Sequence, residues 1–99
     1  MHESNLAFVA ELETIVQDRL ARPREGSYTA KLAAAGIKRI AQKVGEEGAE
    51  LALAAVSGDR DETINEAADL LYHLLVLLNS RDIRLGDVSA LLEARHRKP

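Results

Sequence analysis

No cysteine occurs in the 99 residues, which excludes disulfides, thiolate zinc sites and a cysteine nucleophile. Tryptophan is also absent, with one Phe and two Tyr. The apolar 46% is therefore carried mostly by Leu, Ala, Val and Ile, a mixture that favours helices. A basic surplus is missing too. The net charge of −3 speaks against a protein that binds a nucleic-acid backbone. Unbroken apolar runs such as Leu74–Leu78 fall far short of the ~20 residues that span a membrane. The opening MHESNLAFVAELE has neither a basic start nor a long apolar stretch, so it is no signal peptide. Period-two runs of β-branched residues are lacking, so no strand is expected. What remains is one small cytoplasmic domain over residues 1–99, with neither nucleic acid nor membrane as partner. A chain this short buries a modest share of its surface, which makes self-association plausible on physical grounds.

The helical pattern runs the length of the chain. Ser4 is placed to cap a first helix whose apolar residues Leu6, Val9, Leu12, Ile15, Val16 and Leu20 recur at helical spacing. Pro23 and Gly26 then break the chain in the loop RPREGS. Thr29–Ala35 reads as a short helix closed by Gly36. Ile37–Val56 reads as a long helix ended by Ser57 and Gly58. Asp59 and Glu62 have the spacing of a capping box and start a helix running to about Asn79. Arg81–Gly86 reads as a turn and Asp87–Arg95 as a last short helix, beyond which the basic end RHRKP frays. The expected fold class is all-α, a bundle of about four to five helices joined by short loops.

One stretch of the long helix is locally unfavourable. In KVGEEGAE (Lys43–Glu50), Gly45 and Gly48 each cost roughly 0.5–1 kcal/mol relative to alanine. Glu46, Glu47 and Glu50 crowd like charge in the same place. At about 100° per residue, Ile37, Ile40, Val44, Leu51 and Ala55 form a core stripe, and Glu47 lies about 60° from its centre, on the edge. Glu50 and Lys43 share that flank, with Glu46 beside Glu50. Gly48 falls on the stripe, where it would admit a neighbouring helix closely. On the next helix Glu66, Asp69 and His73 share a flank bordering a wide apolar arc of Ile64, Ala67, Leu70, Leu71, Leu74, Leu75 and Leu78. Antiparallel packing across the turn SGDR lets Glu47 and Glu50 face Glu66 and Asp69. Carboxylates gathered in this way repel strongly at low dielectric. A hard divalent cation such as Mg²⁺ would neutralise them, since it takes oxygen ligands and keeps waters that phosphate oxygens can replace. The competing reading is a solvated acidic face served by Lys38, Arg39 and Lys43.

The blocks GSYTAKL (Gly26–Leu32), QKVGEEGAE (Gln42–Glu50), NEAADLLYHLLVLL (Asn65–Leu78) and LLEARH (Leu91–His96) lie in order along nearly the whole chain. Glu46-Glu47-x-x-Glu50 followed by Glu66-x-x-Asp69 resembles the EExxE…ExxD signature of the all-α nucleoside triphosphate pyrophosphatases. Within that superfamily the blocks resemble the phosphoribosyl-ATP pyrophosphatase family. The resemblance implies Mg²⁺-dependent hydrolysis of phosphoribosyl-ATP to phosphoribosyl-AMP and pyrophosphate, the second step of histidine biosynthesis. It also implies a homodimer that completes the helical bundle and builds its active sites from both subunits. The chain looks like the stand-alone form, because the cyclohydrolase often fused to such domains uses Cys and His for zinc.

Roles follow from the same resemblance. Glu47, Glu50, Glu66 and Asp69 are assigned as metal ligands, and Glu46 as a further ligand or as the base that takes a proton from attacking water. Lys43 is a candidate catalytic contact to phosphate oxygens, or equally an i,i+4 partner of Glu47. Ser27, Tyr28, Thr29 and Lys31 are assigned to substrate binding. For Ser27 and Thr29 simple helix capping is the alternative; for Lys31 it is solvated surface. His73, one turn beyond Asp69, is kept as a substrate or supporting contact, against the commoner reading of a structural histidine. Tyr72 packs at an edge or meets the base or ribose. Two other functions compete: a house-cleaning (d)NTP pyrophosphatase with the same carboxylates, and a non-catalytic helical dimerisation module.

Overall fold

A computed structural model describes residues 5–97. Five helices follow one another: α1 (Leu6–Ala21), α2 (Tyr28–Ala35), α3 (Ile37–Ser57), α4 (Arg60–Ser80) and α5 (Leu85–His96). Among the described residues there is no strand, as the sequence pattern requires. The expected cap Ser4, and Lys98 and Pro99 of the basic end, lie outside the described residues.

Local chemistry sets the boundaries. Ser27 caps α2, its Oγ accepting the Ala30 N–H at 3.3 Å, which starts the helix one residue before the expected Thr29. Gly36 separates α2 from α3 at φ 94° and ψ 169°, a region open essentially to glycine alone. Gly58 ends α3 in the left-handed conformation at φ 85°. Asp59 caps α4 by accepting the Glu62 N–H at 3.0 Å. The reciprocal half of the expected capping box is replaced, because the Asp59 N–H turns to Ser57 Oγ at 3.5 Å. Helix α5 begins two residues earlier than the pattern predicts. The Asp87 carboxylate reaches back to the Arg84 N–H at 2.9 Å and makes Arg84 the cap.

The long helices α3 and α4 form a hairpin that is the most extensive helix–helix contact of the fold. The core is Val16 of α1, Leu32 of α2, Ile40 of α3 and Leu75 and Val76 of α4, with Leu12, Leu20, Tyr72, Leu77 and Leu85 packed around it. The inward stripe of α3 differs from expectation. Its buried residues are Ile40, Glu47 and Ala54, so the buried face is turned towards the acidic flank. On α4 the buried residues are His73, Leu75 and Val76; His73 and Val76 lie on the carboxylate side and only Leu75 belongs to the leucine arc. The apolar arcs are wider than this chain covers. Leu53 (71% exposed), Val56 (87%) and Ile64 (51%) stay open to solvent. A Cβ added at Gly45 or Gly48 would meet nothing within 4 Å, so no helix among the described residues makes the close approach expected at Gly48.

Helix α5 buries none of its residues. Its start is tied by polar bonds that the sequence pattern does not reveal. Glu13 Oε2 accepts from Leu85 N–H at 2.7 Å and from Asn79 Nδ2 at 2.9 Å. The Asn79 side chain in turn bonds Gln17 Nε2 at 3.0 Å and the Leu75 carbonyl at 2.9 Å. Replacing Glu13 by alanine strands two partly buried donors, at a cost of about 1–3 kcal/mol. The expected result for Glu13→Ala is a lower urea midpoint together with faster amide exchange at Leu85. Unchanged exchange there would show that something else holds α5.

Candidate metal centre

The α3–α4 hairpin sets the carboxylates at matching heights. Glu47 and Asp69 lie at similar distances from the Ser57–Arg60 turn, as do Glu50 and Glu66 nearer to it. Oxygens of Glu47, Glu66 and Asp69 converge within 4.8 Å of one another. Glu47 is buried, Glu66 half-buried and Asp69 exposed, so the cluster runs from the hairpin interior to its surface.

The convergence is electrostatically unfavourable as it stands. Oε1 of Glu47 and Oε1 of Glu66 are both buried without a hydrogen-bond partner. A buried carboxylate oxygen ordinarily has a donor, and lacking one is costly. Glu47 Oε2 has only distant nitrogen neighbours, the Lys43 ammonium at 3.7 Å and His73 Nδ1 at 3.9 Å. Burial, followed by the negative charges of Asp69, Glu47 and Glu62, raises the Glu66 carboxyl above its ordinary value. Glu50 is raised as well, chiefly by its neighbour Glu47 and then by the charge of Glu66, with Lys43 pulling the other way. Oxygen-only donors, carrying several negative charges and two orphaned buried oxygens, fit a hard divalent cation.

The remaining candidate residues divide into two groups. Glu46 faces away from the cluster: it accepts from Gln42 Nε2 at 3.1 Å and lies 3.9 Å from Arg39 and 3.8 Å from Lys43. Lys43 thus bridges Glu46 and Glu47. Tyr28 and His73 meet, with the Tyr28 hydroxyl 2.7 Å from His73 Nε2. His73 Nδ1 lies 2.7 Å from the Asp69 carbonyl. Thr29, fully buried, is hydrogen-bonded through Oγ1 to the Tyr72 hydroxyl. The Tyr28 and Tyr72 rings stack at 6.2 Å, and His73 meets each edge-on at 5.6 Å. Ser27 spends its oxygen on the α2 cap, and Lys31 is exposed. Two contributors escape the sequence pattern. Glu62 reads there only as part of a cap, although its place one turn before Glu66 announces its charge. The Thr29–Tyr72 bond pairs residues far apart in sequence, and no local pattern marks it.

A helical hairpin that gathers carboxylates around an oxygen-lined centre defines a class of metal-compatible helical proteins. Known relatives narrow it. The family model for phosphoribosyl-ATP pyrophosphohydrolase matches residues 9–96, and the chain belongs to that family. Among curated relatives, the histidine biosynthesis bifunctional protein HisIE of Xanthomonas axonopodis pv. citri (strain 306) is 56% identical over 90% of this chain and 43% of its own length. The proteins of the same description from Photobacterium profundum and Yersinia pestis are each 53% identical. They align over 94% and 96% of this chain and over 45% and 47% of their own lengths. The chain spans a little under half the length of the curated relatives it matches.

The raised Glu66 carboxyl has a signed consequence for stability. A carboxylate whose folded-state pKa is raised binds protons more readily folded than unfolded. Its penalty is therefore absent below the ordinary value of 4.5 and complete once pH has risen past the folded value. Metal-free Glu66→Gln protein is expected to melt above the wild type at neutral pH, with the gap closing as pH falls towards 4.5. Adding Mg²⁺ should raise the wild-type melting temperature more than that of Glu66→Gln. Melting curves that coincide with and without Mg²⁺ would count against a metal centre.

Proposed function

We propose that this chain hydrolyses phosphoribosyl-ATP to phosphoribosyl-AMP and pyrophosphate with Mg²⁺ at the α3–α4 cluster, the second step of histidine biosynthesis. The observation that carries the reading is the convergence of Glu47, Glu66 and Asp69, with two buried oxygens left without donors, in a member of this family. Glu47, Glu66 and Asp69 would hold the ion, and Glu50, beside Glu47 on the same helix, would complete the set. Bound there, Mg²⁺ supplies charge neutralisation, orientation of the triphosphate and a lowered pKa for water. Lys43, held between Glu46 and Glu47, is positioned to meet phosphate oxygens and the charge that develops as pyrophosphate leaves. Glu46 is the one of the three glutamates on that helix not committed to the cluster. This leaves it as proton acceptor once it rotates away from Gln42 and Arg39. The start of α2, from Ser27 to Lys31, with His73 behind it, forms the substrate side.

The same reading includes a second copy of the chain. The protein exposes 7205 Å², whereas folded monomers of 10.8 kDa expose about 5,500 Å². Its radius of gyration is 14.8 Å, against roughly 13 Å for a compact domain of this size. Ile37, Leu53, Val56 and Ile64 supply the uncovered apolar surface on the long helices. A homodimer through that surface would close the bundle. No helix among the described residues is long and apolar enough to cross a membrane. A cytoplasmic location belongs to the same proposal, as the place of a biosynthetic hydrolase.

The test is pyrophosphate release from phosphoribosyl-ATP and from a panel of dNTPs, with Mg²⁺ and with EDTA. Release from phosphoribosyl-ATP that EDTA abolishes is expected. Glu47→Gln and Asp69→Asn should each lose at least about 100-fold in kcat, the scale of losing a key electrostatic contact. Release from dNTPs alone would favour the house-cleaning activity. A monomer at micromolar concentration in sedimentation would sink the second copy.

A further inference from the structure

The family motif gives the whole start of α2 to the substrate, but its hydroxyls are already engaged. A main-chain carbonyl can only accept, so at 2.7 Å from the Asp69 oxygen His73 Nδ1 carries the ring proton. In a neutral ring so protonated, Nε2 offers only a lone pair, and the Tyr28 hydroxyl, 2.7 Å away, donates its single proton there. Towards an anionic phosphate Tyr28 is left with lone pairs, which repel. Thr29 has no exposed surface, and its hydroxyl is tied to Tyr72. Of the hydroxyls at this helix start, Ser27 alone is partly exposed with its proton still to give, since its oxygen accepts in the cap.

We infer that Tyr28 and His73 form one positioning unit that fixes the start of α2 to the carboxylate face of α4 and does not itself ligate phosphate. The Thr29–Tyr72 bond and the stacked tyrosine rings make the same attachment a second time. His73 joins the two sides: Nε2 holds α2, and Nδ1 sits on the Asp69 main chain, 3.9 Å from Glu47 Oε2. Ser27 and Lys31 thereby stand at a fixed offset from the cluster. This assignment rests on the proposed phosphoribosyl-ATP reading for its kinetic consequence, though not for its geometry.

The first measurement needs no substrate. ¹⁵N NMR of the neutral ring, assigned by difference against His73→Asn, should show Nδ1 protonated and Nε2 bare. An Nε2–H tautomer would overturn the inference. Thermal unfolding of wild type, Tyr28→Phe, His73→Asn and the double variant should be non-additive, because either single change breaks the same bond. The Mg²⁺-induced rise in melting temperature should survive in Tyr28→Phe; its loss would make Tyr28 part of the metal centre and refute the assignment. With substrate, each single variant should raise KM about 3- to 10-fold, the scale of one hydrogen bond, with the larger share of the loss in KM rather than kcat. The double variant should be no worse than either, and His73→Gln, whose Oε1 can stand where Nε2 stood, should recover part of the loss. Multiplying KM effects would mean that both residues touch substrate separately, which rejects the inference and leaves the pyrophosphohydrolase reading intact. A wild type inactive on phosphoribosyl-ATP would reject that reading instead, and the tautomer and the unfolding cycle would still decide the unit.

Discussion

Repulsion among carboxylates on the α3–α4 hairpin is the constraint on which the rest depends. Glu47, Glu66 and Asp69 are forced together by helix register, with Glu50 and Glu62 adding charge nearby. Left to themselves these groups would splay the hairpin. What opposes them is the apolar packing about two turns beyond Asp69 along α4, where Leu75 and Val76 meet Val16, Leu32 and Ile40. The hydrophobic core is therefore a clamp on the acidic cluster. On the proposed reading, a cation that neutralises the cluster would act on the same equilibrium as the core that closes the hairpin, coupling ion binding to folding through one pair of helices.

The same constraint is visible in the buried faces of α3 and α4, which are not their most apolar faces. An ordinary amphipathic helix turns its greasiest stripe to its own core. Here each long helix turns the edge of the stripe inward, bringing Glu47 and His73 under cover, and leaves Leu53, Val56 and Ile64 outside. Charged groups are tolerated at the inner edge because Lys43 and His73 stand beside Glu47. On the proposed assembly, the outer stripe is the true centre of a core that one chain only half contains.

The helix order, the turn at Gly58, the cap at Asp59 and the carboxylate register are legible in the sequence, because each depends on spacing within a few residues. The orientation of the helices is less so. Placing Val44 at the centre of the α3 stripe averages over all apolar positions, and a sequence does not say which are covered by the same chain. The sequence leaves Glu46 open as ligand or base, and geometry turns it away from the cluster to Gln42 and Arg39. Polar contacts across long stretches of sequence are illegible for a plain reason. Glu13 with Leu85, or Thr29 with Tyr72, shares no period or motif, and such pairs exist only once the helices are docked.

The two illegible sets of contacts do related work at different points along α4. Near its C-terminal end, Asn79 and Glu13 hold the start of α5, a helix with no buried residue of its own. Near its middle, Tyr72 and His73 hold the start of α2, whose apolar contribution to the core cluster is the single residue Leu32. Short helices bury too little surface to fix their own orientation, since each buried side chain contributes only about 1.5–3 kcal/mol. Directional hydrogen bonds supply the angle that packing leaves free. On the proposed reading that angle bears on chemistry, because the attachment through Tyr28 and Thr29 sets where Ser27 and Lys31 stand relative to the carboxylate centre. On that reading, a helix start whose hydroxyls are mostly spent on attachment offers a phosphate fewer donors than its sequence suggests, and holds the remaining ones in a fixed place.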